Sequence, residues 1–193
     1  MTILIVIGIL SLILIWYYSF FIYIPKRVVP KGRFIVSPAD GKVLSIIRQG
    51  EHKNTGKFFG GYKNNCLINI MMTPFNFHYQ RTPINGVVKK ISYHKGSFYN
   101  AITNPKKALM YNERNEILLH NKKNGDFLVV QIAGKVARRI ECFVKAKERL
   151  KKGDLLGKIN LGSQVAMLMP NKINVIIREG AKVKAGETII GKY

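Results

Sequence analysis

Apolar positions along this chain follow two different patterns. Met1 to Ile24 contains no charged residue and is built almost wholly from Ile, Leu, Val, Phe, Tyr and Trp. A helix needs about 20 apolar residues to cross the hydrocarbon core of a bilayer, so the run predicts a transmembrane helix over residues 1–24. Trp16, Tyr17, Tyr18 and Tyr23 gather toward its C-terminal end, where interfacial aromatic side chains belong, and Pro25-Lys26-Arg27 stops it. A cleaved signal peptide would carry a basic start, a shorter apolar stretch and a small-residue cleavage site. The segment has none of these and reads as an uncleaved anchor. It also lacks a polar face, which argues against the core helix of a soluble domain.

After the anchor the apolar runs become short and β-branched. Arg33 to Val36, Gly41 to Ile47, Asn65 to Met72, Gly86 to Tyr93, Glu116 to His120, Phe127 to Ala133, Arg139 to Val144, Gln164 to Met169 and Asn174 to Arg178 read as strands bounded by turn residues. Lys122-Lys123-Asn124-Gly125 has the make-up of a hairpin turn, and Asn104 to Tyr111 suits a short helix or a loop. The segment from Leu150 to Lys158 is echoed by that from Val183 to Lys192. Each reads as a tight turn feeding a strand that ends at a glycine, as in barrel-sandwich folds, although two ordinary β-turns would look the same. The pattern predicts an all-β domain over residues 25–193, a compact β barrel or sandwich, behind one N-terminal transmembrane helix.

Charge adds a partner class. The net charge is +22, from 32 basic and 10 acidic residues, and such a chain seeks a polyanion unless a lysine-rich proteome alone accounts for it. An anionic membrane and nucleic acid are the two candidates. The anchor fixes the chain beside lipid, and neither an RNP-type motif nor zinc-finger spacing is present, so the membrane is favoured and nucleic acid is not expected. Lys26, Arg27, Lys31 and Arg33 follow the span directly, which by the positive-inside rule puts residues 25–193 in the cytoplasm. Cys66 and Cys142 each lie in an apolar run and read as buried reduced thiols, and no metal-ligand spacing is visible.

Three segments carry candidate chemistry: Ser37-Pro38-Ala39-Asp40-Gly41-Lys42-Val43, the stretch from Met71 to Val88 that includes Asn76-Phe77-His78-Tyr79-Gln80-Arg81, and Leu161-Gly162-Ser163. Taken singly each has a plain structural reading. Pro-x-Asp-Gly is strong turn chemistry, a lone histidine beside aromatics is most often a satisfied core residue, and a Gly-Ser pair is an ordinary turn. A serine hydroxyl can nevertheless attack the preceding carbonyl, and glycine at 162 hinders that approach least. His52, His94 and His120 sit in polar or turn-rich segments and read as surface residues.

In this order the three segments resemble the phosphatidylserine decarboxylases, in their short bacterial and archaeal form. Asn112-Glu113-Arg114-Asn115 and the segment Gln131 to Ile140 match as well, so the resemblance runs from about Phe34 to Pro170. It implies a proenzyme that cuts its own Gly162–Ser163 bond by an N-to-O acyl shift. β-Elimination then leaves Ser163 as a covalent pyruvoyl cofactor at the head of the shorter chain. The product is a heterodimer of the two self-cleaved chains, with a dimer of such pairs also implied. The substrate is phosphatidylserine in the cytoplasmic leaflet, and the product is phosphatidylethanolamine. Ser163, His78 and Asp40 would be catalytic, with Asp40 a base or orienting group in self-processing and His78 acting in decarboxylation. Longer bacterial members carry a second histidine where this chain has Arg81. Arginine stays protonated and is a poor general base, so Arg81 is a candidate for stabilising an oxyanion or holding the substrate's phosphate or carboxylate, while Arg138 and Arg139 would either bind the headgroup phosphate or pair structurally with Glu141 or Glu113. Asn112 to Asn115 would close a loop near the site. The competing readings are an anchored, non-enzymatic β-domain that binds acidic lipid, and a basic nucleic-acid-binding barrel.

Overall fold

The structure, a computed structural model, describes residues 1–49, 65–135, 139–160 and 164–193. The apolar start forms helix α1 (Thr2–Tyr17), which one π-helical turn (Tyr18–Ile22) extends. No residue of α1 is buried against the protein, and the 21 residues Thr2–Ile22 are long and apolar enough to cross a membrane. The helix ends at Tyr23, whose backbone is extended, two residues before Pro25.

The rest is almost all strand, as the pattern predicts. The strands are β1 (Phe34–Val36), β2 (Gly41–Arg48), β3 (Asn65–Met71), β4 (Tyr79–Arg81), β5 (Gly86–His94), β6 (Arg114–Asn121) and β7 (Gly125–Ile132), followed by β8 (Ile140–Cys142), β9 (Arg149–Leu150), β10 (Leu155–Ile159), β11 (Gln164–Pro170), β12 (Asn174–Val175), β13 (Lys182–Val183) and β14 (Ile189–Lys192). A short helix α2 (Pro105–Tyr111) joins β5 to β6, with Pro105 in its first turn, where a missing N–H costs nothing. Eight strands form one curled antiparallel sheet in the order β13-β2-β3-β11-β7-β6-β5-β9, a half-barrel rather than a closed barrel. Two three-stranded sheets, β1-β14-β12 and β4-β10-β8, accompany it.

Burial explains which runs were legible. β3 and β11 are buried at all but one position, because both faces of these central strands are covered. They therefore read as continuous apolar stretches rather than alternating ones. One face packs Ile68, Ile70, Phe127, Val129, Val165 and Met167 into the main core. The other buries Leu67, Leu128, Val130 and Leu168, with Leu109 of α2 against them. β6, nearer the sheet's edge, alternates buried and half-buried positions.

The predicted echo proves to be half of an internal two-fold repeat. Neither segment is a hairpin. β9 and β13 extend opposite ends of the large sheet, beside β5 and β2, whereas β10 and β14 enter the two small sheets. Both latter strands also run past the glycine at which they were expected to end. Each turn is held by a matching partner in the first half of the chain. Gly186 N–H bonds to the Ser37 carbonyl as Gly153 N–H bonds to that of Thr82. Val36 N–H bonds to the Pro83 carbonyl and, reciprocally, Arg81 N–H to that of Pro38. Ser37-Pro-Ala-Asp40-Gly41 and Thr82-Pro-Ile-Asn85-Gly86 thus occupy equivalent places. Asp40 Oδ1 accepts from Ala185 N at 2.7 Å, and Asn85 Oδ1 from Lys152 N at 2.6 Å.

Two expectations need correction. Cys66 is buried, but Cys142 is exposed, because β8 is an edge strand of its small sheet. The strands expected over 139–144 and 174–178 shorten to Ile140–Cys142 and Asn174–Val175; beyond them the pairing ends in single bonds, from Phe143 N to the Leu156 carbonyl and from Ile176 N to that of Ile190.

Candidate active site

Strand register brings two of the candidate segments to one end of the large sheet. Lys42 on β2 lies opposite Met71 on β3, and Met71 lies opposite Gln164 on β11. β2 and β11 are both antiparallel to β3, so they start in the same row and run the same way. Asp40 stands two residues before Lys42, and Gln164 is the first residue of β11. The chain leaves β3 at this end, turns where Asn76 Oδ1 accepts from Thr73 N at 2.8 Å, and reaches His78. The His78 carbonyl then accepts from Ile159 N at 3.1 Å, at the end of β10. Leu161, Gly162 and Ser163 lie outside the described residues, as do Arg138 and His52.

His78 is fully buried, and neither ring nitrogen makes a well-formed hydrogen bond among the described residues, although the backbone of Asn76 and Phe20 lies close enough to act on it. Its ring stacks on Phe21, the buried residue at the end of the N-terminal apolar helix, with centroids 4.3 Å apart. Burial lowers its pKa to about 4, outweighing the backbone of Asn76 and Phe20, which favours the cation, so the imidazole is neutral at pH 7. More of the span's end packs here. Trp16 and Phe20 meet the exposed Phe75 edge-on, Phe20 also touches Phe77, and Tyr79 Oη donates to the Ile22 carbonyl at 2.9 Å.

Asp40 is buried under the same segment. Arg27 Nη2 donates to Oδ1 at 2.9 Å and to Oδ2 at 2.8 Å, while Ala185 N donates to Oδ1. Burial raises the pKa of Asp40 above the ordinary carboxylate value, with the Ala185 N–H and the Arg27 guanidinium acting against the rise. Gly41 next to it has φ +152°, and a Cβ there would collide with the Met71 carbonyl oxygen, so this close crossing of β2 over β3 admits only glycine.

The arginines separate. Arg81 donates to the Gly153 carbonyl at 2.8 Å and to the Pro25 carbonyl at 3.0 Å, clasping the linker behind the span to the β9–β10 turn. Arg139 is largely exposed and lies 3.6 Å from Glu141. His94 and His120 are half-exposed and pair with Glu116 and Asp126.

Sequence reasoning passed over several residues here. Gln80 Nε2 bonds to the His78 carbonyl, Gln131 Nε2 to Gln80 Oε1, and Asn115 Nδ2 to Gln131 Oε1, forming a buried polar chain that supports the histidine. Asn112 ties Tyr99 to Ala133, and Gln164 Nε2 reaches the Ala101 and Pro105 carbonyls, so the 97–112 segment closes over the start of β11. The available signal was a glutamine in an otherwise apolar strand, at 131 and at 164. Arg27 gave no signal, because it reads as one more juxtamembrane cation.

The profile of the phosphatidylserine decarboxylase family matches residues 15–191, nearly the whole chain. The chain belongs to that family. A phosphatidylserine decarboxylase proenzyme of Syntrophus aciditrophicus (strain SB) is 39% identical over 171 residues, covering 88% of this chain and 76% of the relative. The proenzyme of Beijerinckia indica subsp. indica is 40% identical over 184 residues, covering 95% and 77%. That of Nitratidesulfovibrio vulgaris is 36% identical over 188 residues, covering 97% and 82%. Membership in this family decides for a decarboxylase and against the non-enzymatic β-domain.

Proposed function

We propose that this chain is a proenzyme that cleaves itself between Gly162 and Ser163, and that the resulting pair of chains decarboxylates phosphatidylserine to phosphatidylethanolamine at the cytoplasmic face of the cell membrane. The observation that carries the reading is His78: a fully buried histidine whose ring nitrogens make no well-formed hydrogen bond among the described residues, on the segment that leaves β3 at the sheet end where β2 and β11 begin. Unpartnered buried polar atoms are costly and mark a place kept for something else. Gln164 Oε1, one residue beyond Ser163, and Asn160 Oδ1 are buried and also lack a partner among the described residues. The polar groups at this end fit a pyruvoyl group carried by Ser163. When present, that group supplies an electron sink for a substrate amine.

The chain's own residues would do the rest. Asp40, held as a buried carboxylate, is the candidate base for processing. His78, neutral at rest, has one nitrogen to donate and one to accept. An anionic substrate carboxylate beside it would raise its proton affinity, so that it can bring a proton to the carbon that loses carbon dioxide. The Phe21 ring against His78 keeps water from that position. The anchor would hold the domain on the leaflet that displays the headgroup, and the +22 charge would concentrate it at anionic lipid.

Intact mass under denaturing conditions tests the reading first. Residues 1–162 and a fragment 163–193 with a blocked N-terminus are expected, together with conversion of phosphatidylserine in mixed micelles. Ser163→Ala should remain one chain and convert nothing. Normal turnover by that variant would sink the mechanism.

A further inference from the structure

Asp40 does not stand alone: its charge partner comes from the membrane anchor's linker. The Arg27 side chain is only 5% exposed, spans both carboxylate oxygens of Asp40, lies 3.5 Å from Glu187 and carries its guanidinium 5.3 Å from the Phe77 ring centroid. In a juxtamembrane segment a cation gains most by pointing to water or to lipid phosphate. This one instead turns inward under the domain, and its Nε is buried without a hydrogen-bond partner among the described residues. Such a placement leaves part of the ion unsatisfied and calls for a function.

We infer that Arg27 is a positioning residue for self-processing: the linker behind the membrane span supplies the cation that keeps Asp40 ionised and aimed. This rests on the reading of Asp40 as the processing base. A carboxylate has about four acceptor sites. Arg27 and Ala185 N–H fill both on Oδ1, and Arg27 fills one on Oδ2. Among the described residues no donor takes the remaining site on Oδ2, which can accept a proton. The groups facing Asp40 are Arg27 from the linker, Glu187 from the β13–β14 turn and, one step away, Arg81 of β4, which senses both Arg27 and Asp40. Glu187 opposes ionisation, and Arg81 is engaged with the Gly153 and Pro25 carbonyls. Arg27 is therefore the cation on which the charge of Asp40 depends. The equivalent place in the other half of the repeat holds Asn85, which bonds the same kind of turn N–H with no charge to balance. The ion pair is thus a specialisation of one half of the fold and not a requirement of the turn.

The test follows self-cleavage of freshly synthesised full-length precursor in detergent, as rate against pH, for wild type, Arg27→Gln, Arg27→Lys and Asp40→Asn. Loss of the opposite charge should move the acid limb of the Arg27→Gln profile upward by about 1 to 3 pH units. On the acid limb itself that is a slowing of about tenfold for each unit of the displacement, recovered as pH rises. Arg27→Lys keeps the charge but loses the two-oxygen grip, so its limb should stay at the wild-type pH while its rate falls several-fold. A folded Arg27→Gln precursor with the wild-type profile overturns the proposal. Should that variant fail to fold, Arg27→Lys decides, and a wild-type rate in it overturns the proposal equally. Asp40→Asn separates the two readings. If it cleaves normally, Asp40 is not the base and the proposal falls with that reading. If it is inert while Arg27→Gln is unaffected, only the role of Arg27 is lost.

Discussion

His78 and Asp40 are opposite solutions to burying an ionisable group. Histidine escapes the cost by staying neutral, and aspartate meets it with a cation and a backbone N–H. Each makes its own prediction. In the unfolded chain a histidine titrates near 6.5, whereas folded His78 titrates near 4. Its contribution to stability is whole above pH 6.5 and is lost as pH falls toward 4, by about 3 kcal/mol in full. Denaturation of the single-chain Ser163→Ala protein in detergent should show this loss, and the same protein carrying His78→Phe should lack that portion of it. Parallel curves for the two would mean that the ring is not held neutral. His78→Ala should still self-cleave, as two bands on a gel, yet convert no phosphatidylserine; an uncleaved product would move His78 into the processing step. Asp40→Asn should fold, because Asn85 bonds the matching turn in the other half of the repeat. It should nevertheless lose about 3 kcal/mol, since buried Arg27 loses the nearer of its two carboxylate partners and keeps Glu187 at 3.5 Å.

At the scale of elements, the end of the N-terminal apolar helix is packed into the β-domain rather than only leading up to it. Phe21 stacks on His78, Tyr79 bonds to Ile22, Arg81 clasps Pro25 and Arg27 holds Asp40. Phe21→Ala should cost about 3 kcal/mol, as expected for a buried aromatic, and should admit water to His78. A chain that begins at Phe20 keeps these contacts and should process in detergent. A chain that begins at Val28 loses them and should stay uncleaved, although both lack a span. Equal processing by the two would reduce the linker to a tether. The strands themselves were legible where an apolar run was long, as in β3, β7 and β11. β4, β9 and β13 were not, because two or three residues carry no periodicity and their pairing depends on partners far along the chain.

For the whole molecule, the N-terminal apolar helix and the +22 charge act together in the proposed function. Exposed charges are screened over about 8 Å at physiological ionic strength. Turnover on vesicles containing anionic lipid should therefore fall as salt rises, whereas turnover of phosphatidylserine in neutral detergent micelles should change little. An identical salt response in both would remove the surface charge from the account. By itself the sequence determined an apolar N-terminal helix long enough to cross a membrane, the all-β class, the turn at Asp40 and the order of motifs that marks the family. Each of these is written in local composition, where an uncharged run, a β-branched run or a Pro-x-Asp-Gly turn has its physical meaning without distant partners. Only the tertiary structure decided that the sheet stays a half-barrel, that the chain repeats its architecture about a two-fold, that Arg81 ties down a linker and that Arg27 pairs with Asp40. These depend on register between strands remote in sequence and on which cation is carried inward. A lysine- and arginine-rich segment beside a membrane looks the same whether its charges face lipid or a buried carboxylate, and only packing tells them apart.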